Sequence, residues 1–179
     1  MKINYKIIGI AGIIIVCALS VLLYKNFFYS KDPDQLMNRG NDEVRKGSYD
    51  KAIDSYTKAI QLKGEDATLY YNRGVANMNK GDFEKAIKDF TKAIELQPKN
   101  ISAYNNRANI FKNSARYDEA IKDFTEAIMI KPDFSVAFFG RGFSYQQKGE
   151  RAKALSDYRK AFALGYVDAK KNIDEMKNR

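Results

Sequence analysis

The chain is 179 residues long and carries 31 Lys and Arg against 22 Asp and Glu, a formal charge of +9. It contains no His and a single Cys, which excludes a His-dependent triad, a His-ligated metal centre, an internal disulfide and a thiolate zinc site. At 45% hydrophobic and 30% charged residues it is too apolar for a disordered chain, so its fold must rest on packing alone.

After a short tail, residues 1–6, positions 7–24 read IIGIAGIIIVCALSVLLY without one charge. Eighteen residues make a helix of about 27 Å, close to the ~30 Å thickness of bilayer hydrocarbon. Lys2 and Lys6 precede the run; Lys25 comes after it, with Phe27, Phe28 and Tyr29 beyond. Aromatic rings beside a Lys suit a headgroup region. The segment is therefore expected to be one transmembrane helix, with Cys17 an inert apolar residue inside it. A cleaved signal peptide is the alternative, with its best site after Ser20; the apolar run continues past that point, which favours retention. The positive charges outside the helix are slightly richer on the N-terminal side, which favours an N-in orientation. Residues 25–32 form a linker, and Asp32-Pro33 supplies an N-cap and a first-turn Pro for the first helix beyond it.

From there the sequence repeats itself every 34 residues. KAIDSYTKAI at 51–60 returns as KAIKDFTKAI at 85–94, EAIKDFTEAI at 119–128 and KALSDYRKAF at 153–162. A second series, Asn38-Arg39-Gly40, Asn72-Arg73-Gly74, Asn106-Arg107-Ala108 and Gly140-Arg141-Gly142, keeps the same spacing. Ala52, Ile53, Tyr56, Ala59 and Ile60 form one apolar stripe at helical period. Gly47-Ser48, Gly81-Asp82 and Gly149-Glu150 mark turns. Asp89, Asp123 and Asp157 each come sixteen residues after an Arg of the second series, whereas repeat one has Asp54-Ser55 there. These are read as Arg–Asp pairs between packed helices rather than anion sites. Asp168 to Lys177 reads as a further helix, with Ala169, Ile173 and Met176 on one face, that caps the array.

A 34-residue helix-turn-helix unit with small residues at Gly40, Gly74, Ala108 and Gly142, and aromatics at Tyr56, Phe90, Phe124 and Tyr158, resembles the tetratricopeptide (TPR) family. The fold expected is all-α: a TPR-type α-solenoid of four repeats (33–66, 67–100, 101–134 and 135–168) with a capping helix over 169–179, preceded by the transmembrane helix. Departures from the pattern include Glu43 at a usually aromatic position and Asn113-Ser114-Ala115 in place of the mid-turn Lys-Gly of repeat three.

The resemblance implies that a partner peptide binds along the concave face made by the first helix of each repeat. Candidate groove residues are Asn38, Asn41, Tyr71, Asn72, Asn105, Asn106, Asn109, Phe139 and Phe143. A side-chain amide both donates and accepts, so a ladder of Asn can hold a peptide backbone whatever its sequence, with the aromatics as anchors. The cochaperone clamp for a chaperone's C-terminal carboxylate falls on Met37, Asn41, Asn72, Ser102 and Asn106, where all three family cations are missing. That argues against chaperone-tail binding.

The function expected is a membrane-anchored, non-catalytic protein–protein interaction scaffold. Its expected setting is a bacterial inner membrane, with the repeats extracytoplasmic. The alternatives are a secreted or periplasmic adaptor after signal cleavage, or an organellar import receptor with cytosolic repeats. No cofactor, no metal, no small-molecule substrate and no specific nucleic acid is expected. No carboxylate pair stands apart for acid–base chemistry, and no basic run is interleaved with aromatics.

Overall fold

A computed structural model describes residues 32–177, and the side chains of 32–176. The tail 1–6, the span expected over 7–24 and all of the linker except Asp32 lie outside the described residues. Among the described residues no helix is long and apolar enough to cross a membrane.

The described chain is all helical: α1 (Pro33–Arg45), α2 (Tyr49–Lys63), α3 (Ala67–Lys80), α4 (Phe83–Leu96), α5 (Ile101–Asn113), α6 (Tyr117–Ile130), α7 (Ser135–Gln147), α8 (Arg151–Ala163) and α9 (Ala169–Lys177). Helices pack in antiparallel pairs, α1 on α2 through to α7 on α8, and each pair leans on the next. First helices of adjacent repeats (α1, α3, α5, α7) approach one another more closely than second helices do, which makes the first helices the inner face of the curve.

Starts and stops obey local chemistry. Asp32 accepts a hydrogen bond from the Asp34 backbone N–H at 3.0 Å, and Pro33 opens α1. Asp66 and Asn100, each 34 residues further on, cap α3 and α5 by accepting from Thr68 N (2.8 Å) and Ala103 N (3.0 Å). The turn within each repeat is a Schellman closure, in which Ser48, Asp82, Arg116 and Glu150 donate their N–H back to Glu43, Asn77, Phe111 and Tyr145 carbonyls at 2.8 to 2.9 Å. That turn needs a left-handed residue, supplied by Gly47, Gly81 and Gly149. Repeat three has no Gly there, and Ala115 takes the conformation instead at φ 58°. The turn is unchanged; Ala115 bears the strain.

The core is a row of Ala and aromatic side chains. Ala52, Ala86, Ala120 and Ala154, with Ala59, Ala93, Ala127 and Ala161, are wholly buried, and Tyr56, Phe90, Phe124 and Tyr158 fill the space between helices. The small residue of each first helix is there because the ring is so close. A methyl on Gly40 would sit 2.5 Å from Tyr56 Cε1, and one on Gly74 would sit 2.8 Å from Phe90 Cε1. Gly140 receives the Phe124 ring of the preceding repeat in the same way. At the C-terminal end, Ala169, Ile173 and Met176 of α9 are buried in one cluster with Tyr158 and Ala161. Those are the three residues that the periodicity places on one face.

Candidate functional site

Three Arg–Asp pairs fix how first helices sit on second helices. Arg73 Nη2 donates to Asp89 Oδ1 at 2.6 Å, Arg107 Nε to Asp123 Oδ2 at 2.7 Å, and Arg141 Nε to Asp157 Oδ2 at 2.8 Å. The arginine side chains are 16–21% exposed and the aspartates 3–7%. Each guanidinium also reaches back one repeat: Arg73, Arg107 and Arg141 donate from Nη1 to Thr57, Thr91 and Thr125 Oγ1 at 3.2, 2.6 and 3.1 Å. One side chain thus ties three helices across a repeat boundary. The threonines were open to view in the sequence, since they recur every 34 residues and give way to Arg159 in repeat four, which α9 follows.

Repeat one solves the same problem differently. Glu43, on the first helix, takes the carboxylate role that Asp plays on the second. It accepts from Arg39 Nε at 3.0 Å and from Ser55 Oγ at 2.9 Å. Ser55 stands where the other repeats have Asp. The departure at position 43 and the missing Asp are therefore one exchange, which keeps a single buried carboxylate per repeat.

Several of the expected groove residues lie together along the first helices, but they bond first to neighbouring side chains. Tyr56 donates to Asn41 Oδ1 at 2.7 Å, and Asn72 Nδ2 reaches the same oxygen at 3.4 Å. Asn106 Nδ2 donates to Tyr71 Oη at 3.2 Å. The bonds donated by Asn72 and Asn106 cross from α3 to α1 and from α5 to α3, so the amides stitch repeats together with part of their bonding capacity. Further along, Asn109 donates from Nδ2 to the Asn105 carbonyl at 2.9 Å and accepts from Lys112 Nζ at 3.0 Å. The Asn105 side-chain oxygen is buried and has no partner among the described residues.

Asn38 stands apart. It is exposed, and it lines a shallow recess with Gln35, Arg39, Asp42, Glu43 and Lys46 instead of the hollow holding Asn41 and Asn72. Its counterpart Asn72 faces the preceding repeat, and among the described residues no repeat precedes α1. That hollow, about 250 Å³, is floored by Val44, Tyr56, Tyr71 and Val75. Of the aromatics, Tyr71 packs on Phe90 with centroids 5.8 Å apart. Phe139 is largely a core residue, stacked 4.6 Å from Tyr166 and tilted 5.5 Å from Tyr158. Phe143 is half-buried, with Lys112 Nζ 5.7 Å from its ring centroid. Burial holds the Lys112 ammonium below the ordinary lysine pKa. Among the described residues no cluster of carboxylate or Cys side chains could hold a metal ion.

A profile described as tetratricopeptide repeat matches residues 67–100 and 101–134, and one described as TPR repeat matches 40–81. No curated protein matches the chain. Among solved structures, MamA is 28% identical, with 78% of this chain and 82% of that one covered at a TM-score of 0.73. A structure of MamA from Desulfovibrio magneticus RS-1, starting at its residue 41, is 20% identical, covers 82% and 84%, and scores 0.77, a likeness of fold alone. The TPR domain of Arabidopsis OM64 is 30% identical over 66% of this chain and 98% of its own, with a TM-score of 0.62. Repeat profiles, solenoid geometry and a relative spanned almost end to end agree: the chain belongs to the tetratricopeptide repeat family, whose members are generally non-catalytic interaction scaffolds.

Proposed function

We propose that this protein is a membrane-anchored, non-catalytic scaffold that holds an extended segment of a partner protein along its inner face. The observation that carries this reading is the chain of half-buried amides and aromatics on the first helices, Asn41, Tyr71, Asn72, Asn106, Asn109 and Phe143. It continues through all four repeats. Each amide that spends one hydrogen bond on its neighbour keeps further donors or acceptors for a peptide backbone, and the hollow above Tyr71 offers an apolar seat. Curved arrays of this kind present a continuous surface, which suits an extended ligand better than a compact one.

The anchor rests on the uncharged run 7–24 and its Lys and aromatic flanks. The charge balance across that run favours an extracytoplasmic solenoid in a bacterial inner membrane. A full-length chain with a C-terminal tag should resist alkaline carbonate extraction, and its tag should be lost to protease only once the outer face of the inner membrane is exposed. Extraction together with a mass beginning at Val21 would replace the anchor with a cleaved leader. Groove occupancy is tested by placing a photo-crosslinking residue at Asn72 or Asn106 and, as control, at exposed Lys88 on α4. Partner adducts are expected from the first two only, and equal adducts from Lys88 would refute the inner-face reading.

A further inference from the structure

The first helices of repeats two, three and four carry no acidic residue at all: α3, α5 and α7 contain neither Asp nor Glu. They do carry cations. Arg73, Arg107 and Arg141 are each neutralised by an Asp of the second helix behind them, and Lys80 by Asp50 and Asp82. Lys112 is different. Among the described residues only two lysines are half-buried, Lys92 and Lys112. Lys92 is met by Glu65 at 2.5 Å and by Glu95. Lys112 is met by the Asn109 amide oxygen and the Phe143 ring alone.

The contrast reaches the titration behaviour. Carboxylate hydrogen bonds raise Lys63, Lys80, Lys92, Lys148 and Lys153 above the ordinary lysine value. Lys112 moves the other way, and burial is the cause. Partial desolvation of an ammonium is unfavourable unless an opposite charge compensates it, and here nothing within the described fold does.

We propose that Lys112 seats a carboxylate of the bound partner, so that the scaffold selects extended segments that are acidic at one position on the α5–α7 part of the inner face. This rests on the inner-face reading and names the partner chemistry for it. Lys112 lies in the last turn of α5, with Asn109 holding its ammonium on one side and the Phe143 ring beneath it. A carboxylate arriving there gains a charge-assisted bond, while the partner's neighbouring apolar side chain can rest on Phe143. The site differs from the clamp of the cochaperones, whose cation positions here are Met37, Ser102 and Asn106. The acid-free helices α3, α5 and α7 present no carboxylate of their own to repel an acidic ligand on that part of the face.

The test uses the full chain in neutral detergent against an array of 12-residue peptides, N-acetylated and C-amidated, beside the same set with free C-termini. Peptides that bind should share an Asp or Glu at a fixed place, or depend on the free terminus, which tells a side-chain carboxylate from a terminal one. Lys112→Gln, which keeps the helix and most of the side chain's length, should weaken them about tenfold or more. Lys112→Arg should retain most of the affinity. Replacing the peptide's acid with its amide should cost as much as Lys112→Gln, and combining the two should cost no more than either alone. Peptides that are weakened by Asn72→Ala and Asn106→Ala but indifferent to Lys112→Gln would overturn this proposal and leave the groove standing. Peptides indifferent to all three substitutions, or none bound at all, would overturn both.

Discussion

Replacing Arg107 with Ala should be among the more damaging single changes available on this chain, and the reason is what it leaves behind. Asp123 is 3% exposed and accepts from Arg107 Nε at 2.7 Å and Nη2 at 2.8 Å. Without the guanidinium that carboxylate stays buried with no counter-charge, a loss of about 3–5 kcal/mol. Thr91 is not orphaned, because its hydroxyl still donates to the Ile87 carbonyl at 2.7 Å, so nothing further is added there. At ~2–4 °C per kcal/mol for a chain of this size, the melting temperature should fall by roughly 6–20 °C. Arg39→Ala is the internal control. Arg39 is 62% exposed, and Glu43, though buried, keeps its bond from Ser55 when Arg39 is lost; the cost should be clearly smaller than for Arg107→Ala. The double change Arg107→Met with Asp123→Leu removes both charges and should return most of the lost stability, since an apolar pair of similar size often matches or betters a buried ion pair. Urea unfolding of the full chain in detergent, monitored by circular dichroism at 222 nm, measures all four proteins. A cost for Arg107→Ala as small as that for Arg39→Ala, or a double variant no more stable than Arg107→Ala, would refute the reasoning.

Ala115→Gly should stabilise the chain by about 1 kcal/mol, because Ala115 holds a left-handed backbone at φ 58° that Gly adopts freely; a neutral or destabilising result by the same unfolding assay would show that the turn carries no strain. Alkaline titration should expose Tyr56 and Tyr158, whose phenols burial pushes up to about 12 from the ordinary 10.0, with Glu43 adding to the rise at Tyr56. Below pH 10 both folded and unfolded chains keep these protons. Between 10 and about 12 only the folded chain does, so stability should fall as pH rises through that window. Absorbance at 295 nm should show a late tyrosinate step coincident with helix loss and absent after Tyr56→Phe with Tyr158→Phe. A single step near 10 with the helices intact would refute it.

What the sequence made legible is what recurs. The 34-residue period exposed the helices and the buried Ala and aromatic row, because each repeat must satisfy the same packing against its neighbours, and the one-sided apolar face of Ala169, Ile173 and Met176 exposed the cap. Arg73–Asp89, Arg107–Asp123 and Arg141–Asp157 were readable for the same reason: a fixed sixteen-residue offset three times over is a structural constraint. Position 43 was not readable. Its Glu looks like a lapse from the aromatic pattern until Ser55 is seen twelve residues later and one helix away, and only the packing of α1 on α2 makes the two a single exchange. The inner face shows the limit most clearly. The family pattern located Asn41, Asn72, Asn106 and Asn109 on it, but an amide's partner is not encoded in the amide: Tyr56, Tyr71 and Lys112 claim part of Asn41, Asn106 and Asn109, and Asn72 spends a bond on Asn41. Asn38 carries the same residue type at the register of Asn72 and Asn106 and meets no such claim among the described residues, where no repeat precedes α1. The difference between a ladder and a solvated side chain therefore lies in the neighbour and not in the residue. By the same logic the most informative group on the face is one that residue counting passes over. Lys112 is an ordinary lysine in a chain rich in them, and it becomes distinctive only when burial and the acid-free helices around it leave its charge without an answer.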